Sequence, residues 1–184
     1  MVEKTKARAL FFTELTGASL NQSSALVLIS IKMIAGVEIL KRLVNELKLI
    51  SWDLEFSSVY VQFETEQRYD FDANMVTVLK MNTSLDSKEL AKKLKDTQNY
   101  LLSFTGPERV KITPLVMGQE TLMVPDLTLP HPSLHVDPLV IRCATEVWGS
   151  FEHPILKKTL HDLARTLPPI TNAEFMLQGK SLVP

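Results

Sequence analysis

The chain has 184 residues, 45% of them apolar, and carries 20 lysines and arginines against 21 aspartates and glutamates. That length suits one domain with an added arm, and that apolar share is enough to bury a core. The balanced charge argues against a broad electrostatic footprint for nucleic acid or an anionic membrane surface, and no apolar run approaches the ~18 residues of a membrane span.

Taken in chain order, the N-terminus carries Lys4, Lys6 and Arg8, then four apolar residues at 9–12, with Glu3 and Glu14 on either side. A secretory leader needs a longer apolar stretch. Residues 1–24 therefore read as an arm, its Gly-, Ser- and Asn-rich end at 16–24 being a linker. Residues 25–31 are continuously apolar and partly β-branched, which predicts a buried strand. Over 36–49, Val37, Leu40, Val44 and Leu47 recur at helical spacing, with Glu38, Lys41, Arg42 and Glu46 mostly elsewhere, so a helix follows. Partial alternation over 52–63 predicts one strand, the charged stretch 64–70 a loop, and 74–81 a central strand apolar on both faces.

Asp86 and Glu89 have capping-box spacing and open a helix running to about Leu102, which ends before Gly106 and Pro107. Residues 110–117 form a strand whose Pro114 points to an edge or a bulge. Gly118 and Gln119 turn the chain, and three prolines hold 124–132 extended. Two helices are predicted, at 138–148 and 153–167, each with proline near its start. The order of elements predicts an α+β fold: a ferredoxin-like sheet with helices on one side and an appended C-terminal helical segment. The domain spans 25–167, with a tail at 168–184.

No P-loop, dinucleotide-binding glycine motif, zincin helix or nucleophile elbow is present. The single cysteine, Cys143, lies in an apolar run and reads as a buried, inert thiol. With no disulfide available, a cytoplasmic location is expected. His131 and His135 are four apart, but Pro130 and Pro132 argue against a helix that would make them a ligand pair. Asp70 and Asp72 alternate on an extended segment and could share one face, although a solvated junction is the simpler reading. His153 and His161 read as surface or locally satisfied side chains.

Several segments, in order, resemble one family. They are Phe56, Ser57, Ser58, Val59 and Tyr60; Asn74; residues 84–90; Gly118 with Gln119; Leu127, Thr128, Leu129, Pro130, His131 and Pro132; and Glu146 with Val147. Together they are similar to 6-hydroxymethyl-7,8-dihydropterin pyrophosphokinase, the transferase of folate biosynthesis, over residues 25–163. The resemblance implies transfer of a diphosphate from ATP to a pterin hydroxymethyl group. In the family, two aspartates alternating on one strand hold two magnesium ions that screen the phosphates.

Counted back from Gly118, those aspartate positions are Lys111 and Thr113. Each unit of charge change there is of order 4 kcal/mol at about 4 Å and a dielectric near 20. The family's glycine-serine-asparagine turn corresponds to Lys32, Met33 and Ile34, and its nucleotide-contacting glutamate to Gln98. Of its basic loop, Arg109 remains. An arginine and a stacking aromatic correspond to Asp137 and Leu139. The resemblance thus implies nucleotide contacts at His131, Gln98, Arg109 and Lys111, and a pterin contact at Asn74, but no metal ligand and no catalytic residue.

The expectation is a divergent, non-catalytic homologue that has no resident cofactor and meets a protein partner, or a second copy, through its arm and Met33 and Ile34. The alternative is an active ATP- and magnesium-dependent diphosphotransferase with a rearranged site. There Lys111 would contact phosphate, and Asp70 or Asp72 would recruit metal.

Overall fold

The first strand dictates the layers around it in the computed structural model, which describes residues 22–34, 36–63, 73–106 and 109–182. β1 (Ser23–Lys32) buries Ala25, Val27, Ile29 and Ile31 in one apolar cluster and Leu26 in another. Side chains alternate across a strand, so one strand feeds two cores and needs a cover on each face.

The first face is covered by α1 (Gly36–Leu47) and α2 (Ser87–Thr105). Ile39, Leu40, Leu43, Val44 and Leu47 come from α1, and Leu90, Leu94 and Leu101 from α2. Each fully buried leucine or isoleucine contributes roughly 1.5–3 kcal/mol. The capping box of α2 forms as expected: the Glu89 amide donates to Asp86 Oδ1 at 2.8 Å, and the Asp86 amide to Glu89 Oε2 at 3.2 Å. The helix outlasts its predicted end by three residues and stops at Gly106, whose φ of 88° favours glycine.

The sheet is antiparallel throughout. β2 (Asp53–Phe56), β3 (Val59–Gln62), β4 (Asn74–Thr83), β5 (Val110–Met117) and β8 (Ala173–Leu177) join β1 in the order β5-β1-β4-β3-β8, with β2 also on β4. β5 lies on the edge, and the bulge in its pairing with β1 falls where Val27 meets Pro114, as the missing proline N–H requires. The architecture is α+β. Among the described residues, no helix is long and apolar enough to cross a membrane.

Five expectations need correcting. The strand predicted over 52–63 is two strands, because Ser57 intervenes. Its hydroxyl accepts from the Val78 amide at 3.0 Å and lies 3.0 Å from the Thr77 hydroxyl, taking over bonding that a regular ladder would supply. The helices do not lie on one side. α4 (Pro138–Trp148) packs Leu139, Val140, Ile141, Cys143, Ala144 and Val147 over the opposite face.

The helix predicted at 153–167 shrinks to α5 (Leu160–Ala164), capped by Thr159. Before it, a loop is closed by a bridge between Glu152 and Thr159 and passes through Lys157 at a φ of 53°. The segment expected as a tail supplies β8, which pairs with β3, and a 3₁₀ turn (Gly179–Ser181). Gly179 seats that turn against the Phe56 and Ser57 carbonyl groups, where a Cβ would overlap both. The expected arm lies outside the described residues up to 21, and its last two residues, 23 and 24, instead begin β1; Asp70 and Asp72 lie outside the described residues altogether.

Candidate functional site

The sheet register decides which candidates share a surface. Residues paired across neighbouring strands point to the same side. Lys32 pairs with Asn74, and Asn74 with Gln62; Ser30 pairs with Lys111 and Leu28 with Thr113. Leu28 packs against the α4-side cluster, which contains Val76, Val78 and Leu26. Lys111, Thr113 and Asn74 therefore lie on the α4 face, toward one end of the sheet.

The outer edge of β5 is occupied by the proline-histidine loop. The His131 amide donates to the Leu115 carbonyl at 2.7 Å. Before the loop, β6 (Leu122–Val124) and β7 (Leu127–Leu129) form a separate hairpin, and a cis Leu129–Pro130 peptide leads into the turn. After it, α3 (Ser133–Val136) is a single helical turn. Strand edge, hairpin and loop enclose a cleft of about 420 Å³, lined among others by Thr113, Pro114, Asp126, Thr128, His131 and Pro132. Asp126 was not singled out from the sequence. Its signal was faint, a carboxylate beside Pro125 in what became a hairpin turn.

The wall carries charge of both signs, with Lys111 beside His131 and Asp126 in the lining. Burial lowers the His131 pKa, and the charges of Lys111 and His135 lower it further. The ring Nδ1 of His131 accepts from the Ser133 amide at 3.2 Å, which leaves its proton on Nε2. Among the described residues, neither Lys111 nor Thr113 has a side-chain hydrogen bond or ion pair with another described residue.

The other candidates go elsewhere. Gln98 Oε1 accepts from the Ile112 amide at 2.8 Å, satisfying an edge donor of β5. Arg109 is bonded through its carbonyl, which accepts from the Lys32 amide at 2.9 Å. Its side chain lines a separate groove of about 220 Å³ with Ile34, Arg42 and Phe104. The structure thus brings Thr113 and His131 together, sets Lys111 beside them and Asn74 on the same face, and places Arg109 apart. Asp137 and Leu139 have structural duties. The Asp137 carboxylate caps α4 by accepting from the Leu139 and Val140 amides at 2.9 and 3.2 Å, and Leu139 is buried.

A second polar group on this face unites two of the sequence motifs. Glu146 accepts from the Ser58 amide at 2.7 Å and from the Tyr60 hydroxyl at 2.8 Å, and Arg142 Nε donates to that hydroxyl at 3.1 Å. Burial, then the bond to Glu146, raises the Tyr60 pKa. Nearby, Cys143 is fully buried, and burial pushes its thiol pKa up to about 12, so it is inert as expected.

No family model and no curated protein sequence matches this chain. Solved structures do. The HPPK-DHPS protein of Plasmodium falciparum, solved with pterin and p-hydroxybenzoate, superposes at a TM-score of 0.59 with 10% identity, covering 79% of this chain and 42% of that one. The same protein with pteroate gives 0.60 at 9% identity over 79% and 42%. With STZ-DHP it gives 0.59 at 10% identity over 84% and 45%. The chain therefore spans less than half the length of these structures, and identities this low speak for the fold alone. That fold is HPPK-like, the pyrophosphokinase type to which the sequence motifs pointed.

Proposed function

We propose that this chain has a role related to that of hydroxymethyldihydropterin pyrophosphokinase, as a divergent, non-catalytic homologue built on a ferredoxin-like core. One observation carries the reading. Lys111 and Thr113 stand on one face of β5, at the positions where the family resemblance calls for two metal-binding carboxylates. A divalent cation needs hard anionic oxygens. An ammonium repels it, and a hydroxyl is a weak neutral ligand.

Among the described residues, no group of three or more His, Cys, Asp or Glu side chains is placed to hold a metal ion, and Asp126 is the carboxylate lining the cleft. This donor set does not fit two magnesium ions. What remains favours an anion directly: Lys111 by charge, and His131 through its Nε2–H. The scaffold then serves in the cytoplasm as an interaction or regulatory protein. Its partner is another protein or a second copy, met through the N-terminal arm and the exposed Met33 and Ile34.

Calorimetric titration tests this. A non-hydrolysable ATP analogue with magnesium, and then the pterin, should show no magnesium-dependent binding in the micromolar range. Micromolar magnesium-dependent binding would overturn the reading in favour of an active diphosphotransferase. In the gain-of-function direction, the double variant Lys111→Asp, Thr113→Asp should acquire magnesium-dependent thermal stabilisation by the analogue. A ligand at 100 times its dissociation constant adds about 2.7 kcal/mol.

A further inference from the structure

We propose that His135 and His153 form an acid-sensitive clasp, which holds the His131 wall of the cleft onto the loop after α4 at neutral pH and releases it on acidification. His135 lies in α3, directly after the proline-histidine loop, and His153 in the loop between α4 and α5. Their rings meet edge to face, with centroids 5.3 Å apart and planes at 83°. Among the described residues, the buried side-chain polar atoms without a partner are His135 Nδ1 and His153 Nε2, one from each ring. His153 is 0% exposed. Orphaned polar groups in such a place call for an account.

The neutral ring is built into the loop. His153 Nδ1 accepts from the Ile155 and Leu156 amides at 3.3 and 3.2 Å, so its proton sits on Nε2. A second proton would occupy Nδ1, break both contacts and leave a buried cation.

The charged groups on the surrounding elements offer little relief. β5 contributes Lys111, and the proline-histidine loop contributes His131, whose pKa is lowered by burial and then by Lys111 and His135. In the clasp's own loop, Glu152 lies 4.0 Å from Lys157 Nζ, with Lys158 following. Asp137 caps α4, and on α5 Asp162 accepts from the Thr159 hydroxyl beside His161. Burial, followed by the charge of His135, lowers the His153 pKa.

The sign follows from linkage. A histidine with a depressed folded pKa binds fewer protons folded than unfolded, so stability rises with pH across the gap between its two pKa values. The clasp's contribution is complete above about 6.5 and is lost as the pH falls toward the folded pKa of His153. Opening would free α3, and with it the Ser133 amide bond to His131 at 3.2 Å. This device stands on its own geometry, whether or not the cleft takes a nucleotide.

Histidine NMR titration of the full chain, with thermal melts between pH 7.5 and 5.5, tests the clasp. Wild type should lose about 3–5 °C in melting temperature over that range, on the scale expected for one buried histidine in a chain this size. The His153→Asn variant keeps an acceptor near Nδ1 but takes up no proton, and should lose less than half as much. In wild type at pH 5.5, the 134–136 and 155–156 amides should exchange at least tenfold faster than their intrinsic rates alone predict. An equal pH loss in His153→Asn, or a His153 ring titrating at or above 6.5, would overturn the clasp. If His153→Asn is unfolded at pH 7.5, the ring titration and His135→Gln decide. His135→Gln should raise the His153 pKa, and an unchanged value would count against the clasp.

Discussion

On the α4 face of the sheet, two polar regions lie a few residues apart and have opposite characters. Around Ser57, Tyr60, Arg142 and Glu146, the donors and acceptors meet one another within the protein. Around Thr113 and His131, with Lys111 beside them, they border a cleft. The first region behaves as structure: polar groups are kept there because each has a partner, and removing one strands another. In the second, Lys111 and Thr113 make no side-chain hydrogen bond to another described residue, and His131 holds only the Ser133 amide. The same family resemblance drew attention to both, so resemblance alone does not separate a scaffold motif from a working one.

Substitutions can break or sharpen this contrast. The largest effect is expected at Gly179, whose close approach to Phe56 and Ser57 seals the satisfied region. Gly179→Ala should cost about 1–3 kcal/mol, measured by urea unfolding. A neutral result would mean that the 3₁₀ turn is not held there.

Glu146→Ala should come next, at about 1–2 kcal/mol. It removes an ionised acceptor from the Ser58 amide and the Tyr60 hydroxyl, but Glu146 is exposed and water can replace part of the loss. Glu146→Gln should recover some of it. A smaller effect is tied to alkaline pH. Because the folded pKa of Tyr60 is raised above 10.0, its contribution is complete below that value and is lost as the pH rises through the folded pKa. Tyr60→Phe should flatten that alkaline limb of the stability curve.

At the cleft, Lys111→Ala and Thr113→Val should each change stability by less than about 0.5 kcal/mol. A cost above about 1 kcal/mol at either position would show that the wall is structural too and erase the contrast.

Local chemistry made much of the frame legible. The two-faced apolar pattern of β1, the capping box of Asp86 and Glu89, and the edge proline of β5 are each dictated by residues adjacent in sequence, and each stands in the structure. Thr113 and His131, which the family resemblance singled out, line one cleft in the structure. Gln98 was read as a nucleotide contact, whereas its side chain bonds the Ile112 amide. Nothing in the spacing of two residues fourteen apart signals that a helix side chain will reach over a strand edge.

The remaining differences share one cause. Ser57 interrupts a strand because its hydroxyl finds Val78 and Thr77, which come from another strand. The helix expected from 153 stops after one turn because the chain reverses through Lys157 at a φ of 53° and Glu152 pairs with Thr159. β8 forms because β3 offers an unpaired edge, while its own residues carry only a weak pattern.

By itself, the sequence determined the core strands and the capped helices, since these depend on side-chain chemistry and short-range periodicity. Only the tertiary structure decided that α4 would cover the second face, that Asp126 would join Thr113 and His131 around one cleft, and that His135 would meet His153. Those outcomes depend on burying apolar surface against distant partners, a free energy that exists only once the layers have closed.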